Sequence, residues 1–81
     1  MSYYDHLREE VARRILELRT ADGLTQGEVA SRADISERRY GELEKGKANP
    51  TLKTLVAVCE ALGTDLSDLF DSRYDAKVYR D

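Results

Sequence analysis

Apolar side chains recur at steps of three and four along almost the whole chain, a spacing that gathers them onto one face only if the backbone is helical. Leu7, Val11, Ile15 and Leu18 form the first such face, while Arg8, Glu9, Glu10, Arg13, Arg14 and Glu17 fill the rest as a solvated surface. The pattern predicts a helix from about Tyr4 to Ala21, with Gly23 beyond its end suited to the left-handed conformation that closes helices. Thr25-Gln26-Gly27-Glu28 has the form of a capping box, a hydroxyl cap with a carboxylate three residues later, and opens a short helix that turns Val29 and Ala30 inward. Asp34 is a turn residue tolerant of left-handed backbone. Ser36 caps a third helix, Glu37 to Lys45, whose inward residues are Tyr40 and Leu43. Gly46 to Pro50 reads as a loop, because Pro50 biases Asn49 toward extended geometry. Thr51 caps a fourth helix with the stripe Leu52, Leu55, Val56, Cys59 and Leu62, stopped by Gly63; Thr64 or Asp65 caps a short fifth carrying Leu66, Leu69 and Phe70. The expectation is an all-α chain of five short helices in one compact domain over residues 1–70, with a charged tail over 71–81.

Length and composition narrow the function classes. A chain of 81 residues supports a single core, since chains divide only when one core can no longer grow. The longest unbroken apolar run is the five residues Leu55 to Cys59, far short of the roughly 20 that cross a bilayer, so no membrane role is expected. The N-terminus lacks the basic-then-apolar order of a signal peptide, and one cysteine allows no intrachain disulfide. A secreted domain this small would usually need such staples, which points to the cytoplasm. Cys59 sits on the apolar stripe as a small core residue. His6 is the single histidine, with no cysteine or second histidine near it to complete a metal site, and no cofactor is expected. The carboxylates lie on helix faces without a pocket to perturb them, and no Gly-rich phosphate loop or nucleophile motif is present. An enzyme is not expected.

Net charge is −3, from 13 basic and 16 acidic residues. A nonspecific nucleic-acid coat would be strongly basic. Residues 25–50 hold five basic against five acidic groups, so any DNA binding must come from a local patch on an acidic body.

Leu24-Thr25-Gln26, Val29-Ala30, Ile35-Ser36, Leu43-Glu44-Lys45-Gly46-Lys47 and Asn49-Pro50-Thr51-Leu52 follow one another at fixed intervals, continued by Leu55 to Leu62, Gly63, Leu66 and Leu69-Phe70. This pattern resembles the Cro/phage-repressor type of helix-turn-helix DNA-binding domain, the XRE-like family. The resemblance covers about residues 7–70 and implies a lambda-repressor-like five-helix fold, with a scanning helix near 26–33 and a recognition helix near 37–45. In such an arrangement the second helix enters the major groove with its N-terminal residues at base edges, while the first crosses the phosphates.

The resemblance implies base contacts from Ser36, Glu37, Arg38 and Glu42. Arg38 is suited to bidentate contact with guanine, worth roughly 1–3 kcal/mol of discrimination. Glu37 and Glu42 repel phosphates and can only accept from cytosine N4; they either reject wrong sites by charge, orient Arg38 or Arg39, or serve only as soluble helix surface. Gly41 costs about 1 kcal/mol in a helix interior relative to Ala, and its missing side chain would let backbone and DNA approach closely. Gln26 and Gly27, at a helix N-terminus, suit a phosphate, with Arg39, Lys45, Lys47 and Asn49 on the flanking backbone. The resemblance also joins Arg19 and Glu44 in a partly buried ion pair.

Double-stranded DNA is the expected partner. A single small module buries only about 600–1,000 Å² on DNA, which favours a homodimer on a palindromic site. The interface expected for it comprises Val58, Leu62, Leu66, Leu69, Phe70, Tyr74 and Tyr79, although some of these must also fill the monomer core. The expected function is a sequence-specific transcriptional regulator of repressor or controller type. The competing reading keeps the scaffold but not the DNA, as a protein–protein interaction module such as an antitoxin with a protein partner.

Overall fold

Each of the four α-helices begins at a Ser or Thr whose hydroxyl accepts the backbone N–H three residues on, which satisfies one of the donors a helix start leaves open. The computed structural model describes residues 2–70. The helices are α1 (Tyr3–Ala21), α2 (Gln26–Ala33), α3 (Glu37–Glu44) and α4 (Leu52–Leu62), followed by a 3₁₀ turn over Leu66–Leu69. No strand occurs among the described residues. The fold is all-helical, but the expected fifth helix is this single 3₁₀ turn. Four residues between Asp65 and the extended Phe70 are too few to propagate an α-helix. The tail over 71–81, with Tyr74 and Tyr79, lies outside the described residues.

Two starts are capping boxes. Thr25 Oγ1 accepts from Glu28 N at 3.1 Å while Thr25 N donates to Glu28 at 2.9 Å. Ser2 and Asp5 repeat the arrangement at α1, one residue earlier than the apolar pattern places the helix start. Between α2 and α3 the chain reverses through Asp34, whose left-handed φ of 57° lets its own N–H and that of Ile35 reach back to the last carbonyls of α2. That reversal sets α3 at once beside α2.

α2 packs on α4 and α3, and α1 packs on α3 and the 3₁₀ turn. The core between them contains Val11, Ile15, Val29, Tyr40, Val58 and Leu69, with Cys59 and Leu62 at its edge. Three residues expected at a subunit interface are therefore used otherwise: Val58 is 0% exposed, Leu62 6% and Leu69 1%. They belong to the hydrophobic core of a single chain. Leu66 packs partly buried against the same core, and Phe70 keeps 40% exposure.

Two further expectations change. On α4, Leu52 and Val56 face outward, 66% and 39% exposed, and Val58 takes the core position. Glu10, expected on the solvated face of α1, is 5% exposed and ion-paired to Arg13. Nearby, Arg14 Nε donates to the carbonyl of Asp68 at 2.9 Å, tying α1 to the 3₁₀ turn.

Candidate nucleic-acid interface

Tyr40 and Leu43, 0% and 5% exposed, fix α3 from behind. They leave Glu37, Arg38, Arg39 and Glu42 on the outer surface, with Gly41 half-buried beside Gln26. The Arg38 side chain is 90% exposed, and its one ion pair among the described residues is a long one, Nε to the Glu42 carboxylate at 3.8 Å. That one-turn spacing is worth a few tenths of a kcal/mol on a helix surface, so Arg38 stays free to reorient. Ser36 lies at the N-terminal tip of this surface, its Oγ accepting from Arg39 N at 3.1 Å. The hydroxyl proton is left to donate elsewhere.

Gln26 and Gly27 flank one side of α3. Gln26 Nε2 donates to Glu44 at 2.9 Å, so the side chain braces the two helices. The N–H groups of Gln26 and Gly27 belong to the first turn and have no intrahelical acceptor. The Glu37 side chain folds back toward this end of α2: a Cβ added at Gly27 would lie 3.0 Å from Glu37 Oε1. A carboxylate thus sits beside a helix start whose partial positive charge favours anions.

Arg39, Lys47 and Asn49 flank the other side, around a concavity of about 260 Å³ between α3 and the loop to α4, which Glu42 and Pro50 also line. The loop geometry follows from the end of α3, where Gly46 (φ 70°) turns the chain and Lys47 N donates to the carbonyl of Glu42 at 3.1 Å. Asn49 Oδ1 accepts from Tyr4 Oη at 2.6 Å and from Arg8 at 3.4 Å, which directs the rest of its amide outward. Lys45, at the exposed end of α3, lies beyond both groups. Tyr4 and Arg8 were not identified from sequence. Their spacing of one helical turn was a usable signal, and Arg8 does lie over the Tyr4 ring at 5.4 Å. Their shared partner 41 to 45 residues away could not be read that way.

Behind the surface, Arg19 Nε and a terminal nitrogen donate to the two oxygens of Glu44 at 2.5 and 3.0 Å, and a further donor reaches the carbonyl of Leu24 at 2.9 Å. Their side chains are 15% and 5% exposed. Burial pushes the Glu44 carboxyl up, but the Arg19 guanidinium and the Gln26 amide more than offset it and hold it below the usual carboxylate range. The same bond to Glu44 raises Arg19 above its ordinary value. Burial, and after it the neighbouring Glu44 carboxylate, likewise push up the phenol of Tyr40. The arrangement presents one cation-bearing helix between two polar shoulders and offers no acid–base pair.

Residues 15–69 match the family model for helix-turn-helix. An uncharacterized HTH-type transcriptional regulator of Sinorhizobium fredii is 38% identical over 63 residues, covering 78% of this chain and 82% of that protein. The immunity repressor protein of Bacillus phage phi105 is 39% identical over 57 residues, covering 70% of this chain and 40% of the repressor's length. Among solved structures, the restriction-modification controller protein C.AhdI from Aeromonas hydrophila superposes with a TM-score of 0.75 at 30% identity, covering 78% of this chain and 96% of that one.

Proposed function

The chain belongs to the helix-turn-helix family of the XRE, Cro/C1 type, and from that premise we propose that it is a sequence-specific DNA-binding transcriptional regulator acting as a homodimer on a palindromic site. Residues 1–70 form the DNA-binding domain of phage-repressor-like fold, with α2 as scanning helix and α3 as recognition helix. The observation that carries the reading is Arg38, fully presented on a helix pinned from behind and flanked on both sides by groups suited to phosphate.

In this reading Ser36 and Arg38 reach base edges, with Glu37 and Glu42 restricting which bases and orientations are accepted. The α2 amides of Gln26 and Gly27 meet one phosphate strand. Arg39, Lys45, Lys47 and Asn49 meet the other, and Tyr4 and Arg8 hold Asn49 in position. These contacts set register and carry no sequence information themselves. The patch is small on a chain of net charge −3, so binding to wrong sequence is weak and falls steeply with salt. The protein works in the cytoplasm and catalyses no reaction.

Selection from random duplexes at fixed salt tests this. The expected result is a two-fold symmetric motif, lost or relaxed at one position per half-site in Arg38→Ala. Failure of the wild-type chain to enrich any motif overturns the reading and leaves the scaffold as a protein-binding module.

A further inference from the structure

Asn49 is exposed on the wall of the concavity between α3 and the loop to α4, beside Arg39 and Lys47. An amide carries an acceptor at one end and two donors at the other, so the end that faces out decides what that wall can hold. Arg8 settles the orientation. A guanidinium has no acceptor, and the Asn49 atom that Arg8 Nη1 meets at 3.4 Å must therefore be the oxygen. Tyr4 Oη donates to the same oxygen at 2.6 Å, a short bond for two oxygens. No acceptor among the described residues takes the two N–H bonds of Nδ2.

Arg8 is itself held by its own chain. Its Nη2 lies 3.1 Å from Asp5 Oδ1, its guanidinium covers the Tyr4 ring at 5.4 Å, and its Nε is buried. Asp5 in turn is fixed by the capping box it forms with Ser2 at the start of α1.

We propose that Tyr4, Asp5 and Arg8 form a positioning unit that sets the polarity of the Asn49 amide, so that Asn49 offers only N–H donors to an anionic oxygen of the DNA backbone. The inference rests on the DNA-binding reading above and deepens it, because it makes the first two turns of α1 part of the site. All three residues precede the segment matched by the family model, which begins at Ile15, so membership of the family does not supply them. Turned the other way, the amide would add a carbonyl oxygen to a wall that already carries the Glu42 carboxylate, and would repel phosphate. Holding the amide in advance also removes the entropy cost of ordering it when DNA arrives.

Two measurements on the full chain test this. In the free protein, nitrogen relaxation of the side-chain amides should show Asn49 ordered in the wild type and mobile in Tyr4→Phe, which loses only the hydroxyl. Equal order in the two proteins overturns the inference. On a selected duplex, Tyr4→Phe should weaken binding about two- to tenfold, the cost of immobilising one side chain at an interface. Its salt dependence should match the wild type, because a neutral amide releases no counterion. A slope reduced by about one would mean that a cation had left the phosphates, and overturns the account. Asn49→Ala should lose at least as much, and adding Tyr4→Phe to it should cost nothing more. An undiminished second loss would make Tyr4 merely structural and overturns the inference. Asn49→Asp keeps an acceptor for Tyr4 and Arg8 but turns an oxygen outward, and should bind more weakly than Asn49→Ala; binding like the wild type overturns the proposed polarity. A wild type that binds no duplex specifically removes the DNA reading and this inference together, whereas specific wild-type binding with an equally ordered amide in Tyr4→Phe removes this inference alone.

Discussion

Arg19 on α1 grips both carboxylate oxygens of Glu44 at the end of α3, and Gln26 at the start of α2 takes the same carboxylate. Three helices thus meet on one buried anion. Removing one partner of such a pair leaves the other charged and dry, at a cost of about 3–5 kcal/mol, a large part of the 5–15 kcal/mol typical of whole domains. Arg19→Ala should lower the melting temperature by more than about 10 °C, since each kcal/mol moves a domain of this size by roughly 4–8 °C. Arg19→Lys should fall between, keeping charge but losing the two-pronged geometry. A melt of Arg19→Ala within two degrees or so of wild type would contradict the account.

Acid should act through the same carboxylate. Glu44 titrates below the ordinary glutamate value of 4.5 when folded. The stability it contributes is therefore complete above that value and lost as pH falls through the folded one. The capping carboxylates add in the same direction: backbone hydrogen bonds hold Asp5 and Glu28 down, and the Thr64 hydroxyl does so for Asp68. Thermal melts should fall progressively below about pH 5. In Glu44→Gln, starting from a lower midpoint, the acid decline should be shallower.

Gly41 faces Gln26, and a Cβ there would lie 3.6 Å from Gln26 Oε1, an ordinary contact. Steric demand within the protein does not explain the glycine. Gly41→Ala should raise stability by up to about 1 kcal/mol, the helix-interior difference between the two residues. A fall in specific DNA affinity alongside that gain would show that the bare backbone serves close approach to the duplex. Unchanged affinity would remove that role.

Glu37 lies beside the N-terminus of α2, where an anion is worth about 0.3–1 kcal/mol. Glu37→Gln should lose stability of that order while gaining affinity for duplex DNA, because the carboxylate otherwise faces the incoming phosphate. The gain should shrink as salt rises. Equal DNA titrations for the two proteins at low salt would count against this placement.

Local chemistry was readable from residues and tertiary phase was not. Thr25 with Glu28, Asp34 at the reversal and Gly63 after α4 each declare their geometry through their own side chain or its absence. The orientation of α4 was ambiguous because Leu55 to Cys59 is apolar at five consecutive positions, so several helical phases fit equally well. Only packing against α2 sends Val58 inward and Val56 out. Around α3, Tyr40 and Leu43 gave the buried side directly, leaving Arg38 outward by exclusion. The support of Asn49 by Tyr4 and Arg8 depends on how α1 lies across the loop, which no local pattern encodes. The Ser2 cap was hidden because it precedes the first apolar repeat at Leu7.

Cys59 is the sole sulfhydryl of the chain and is 3% exposed in the wall between α4 and its neighbours. Its burial also disfavours the reactive thiolate. Alkylation of that atom must wait for the helices to part, so labelling kinetics would time the opening of the native protein without any introduced probe. Bound to DNA as proposed, the same molecule should react more slowly, turning an inert packing residue into a gauge of occupancy.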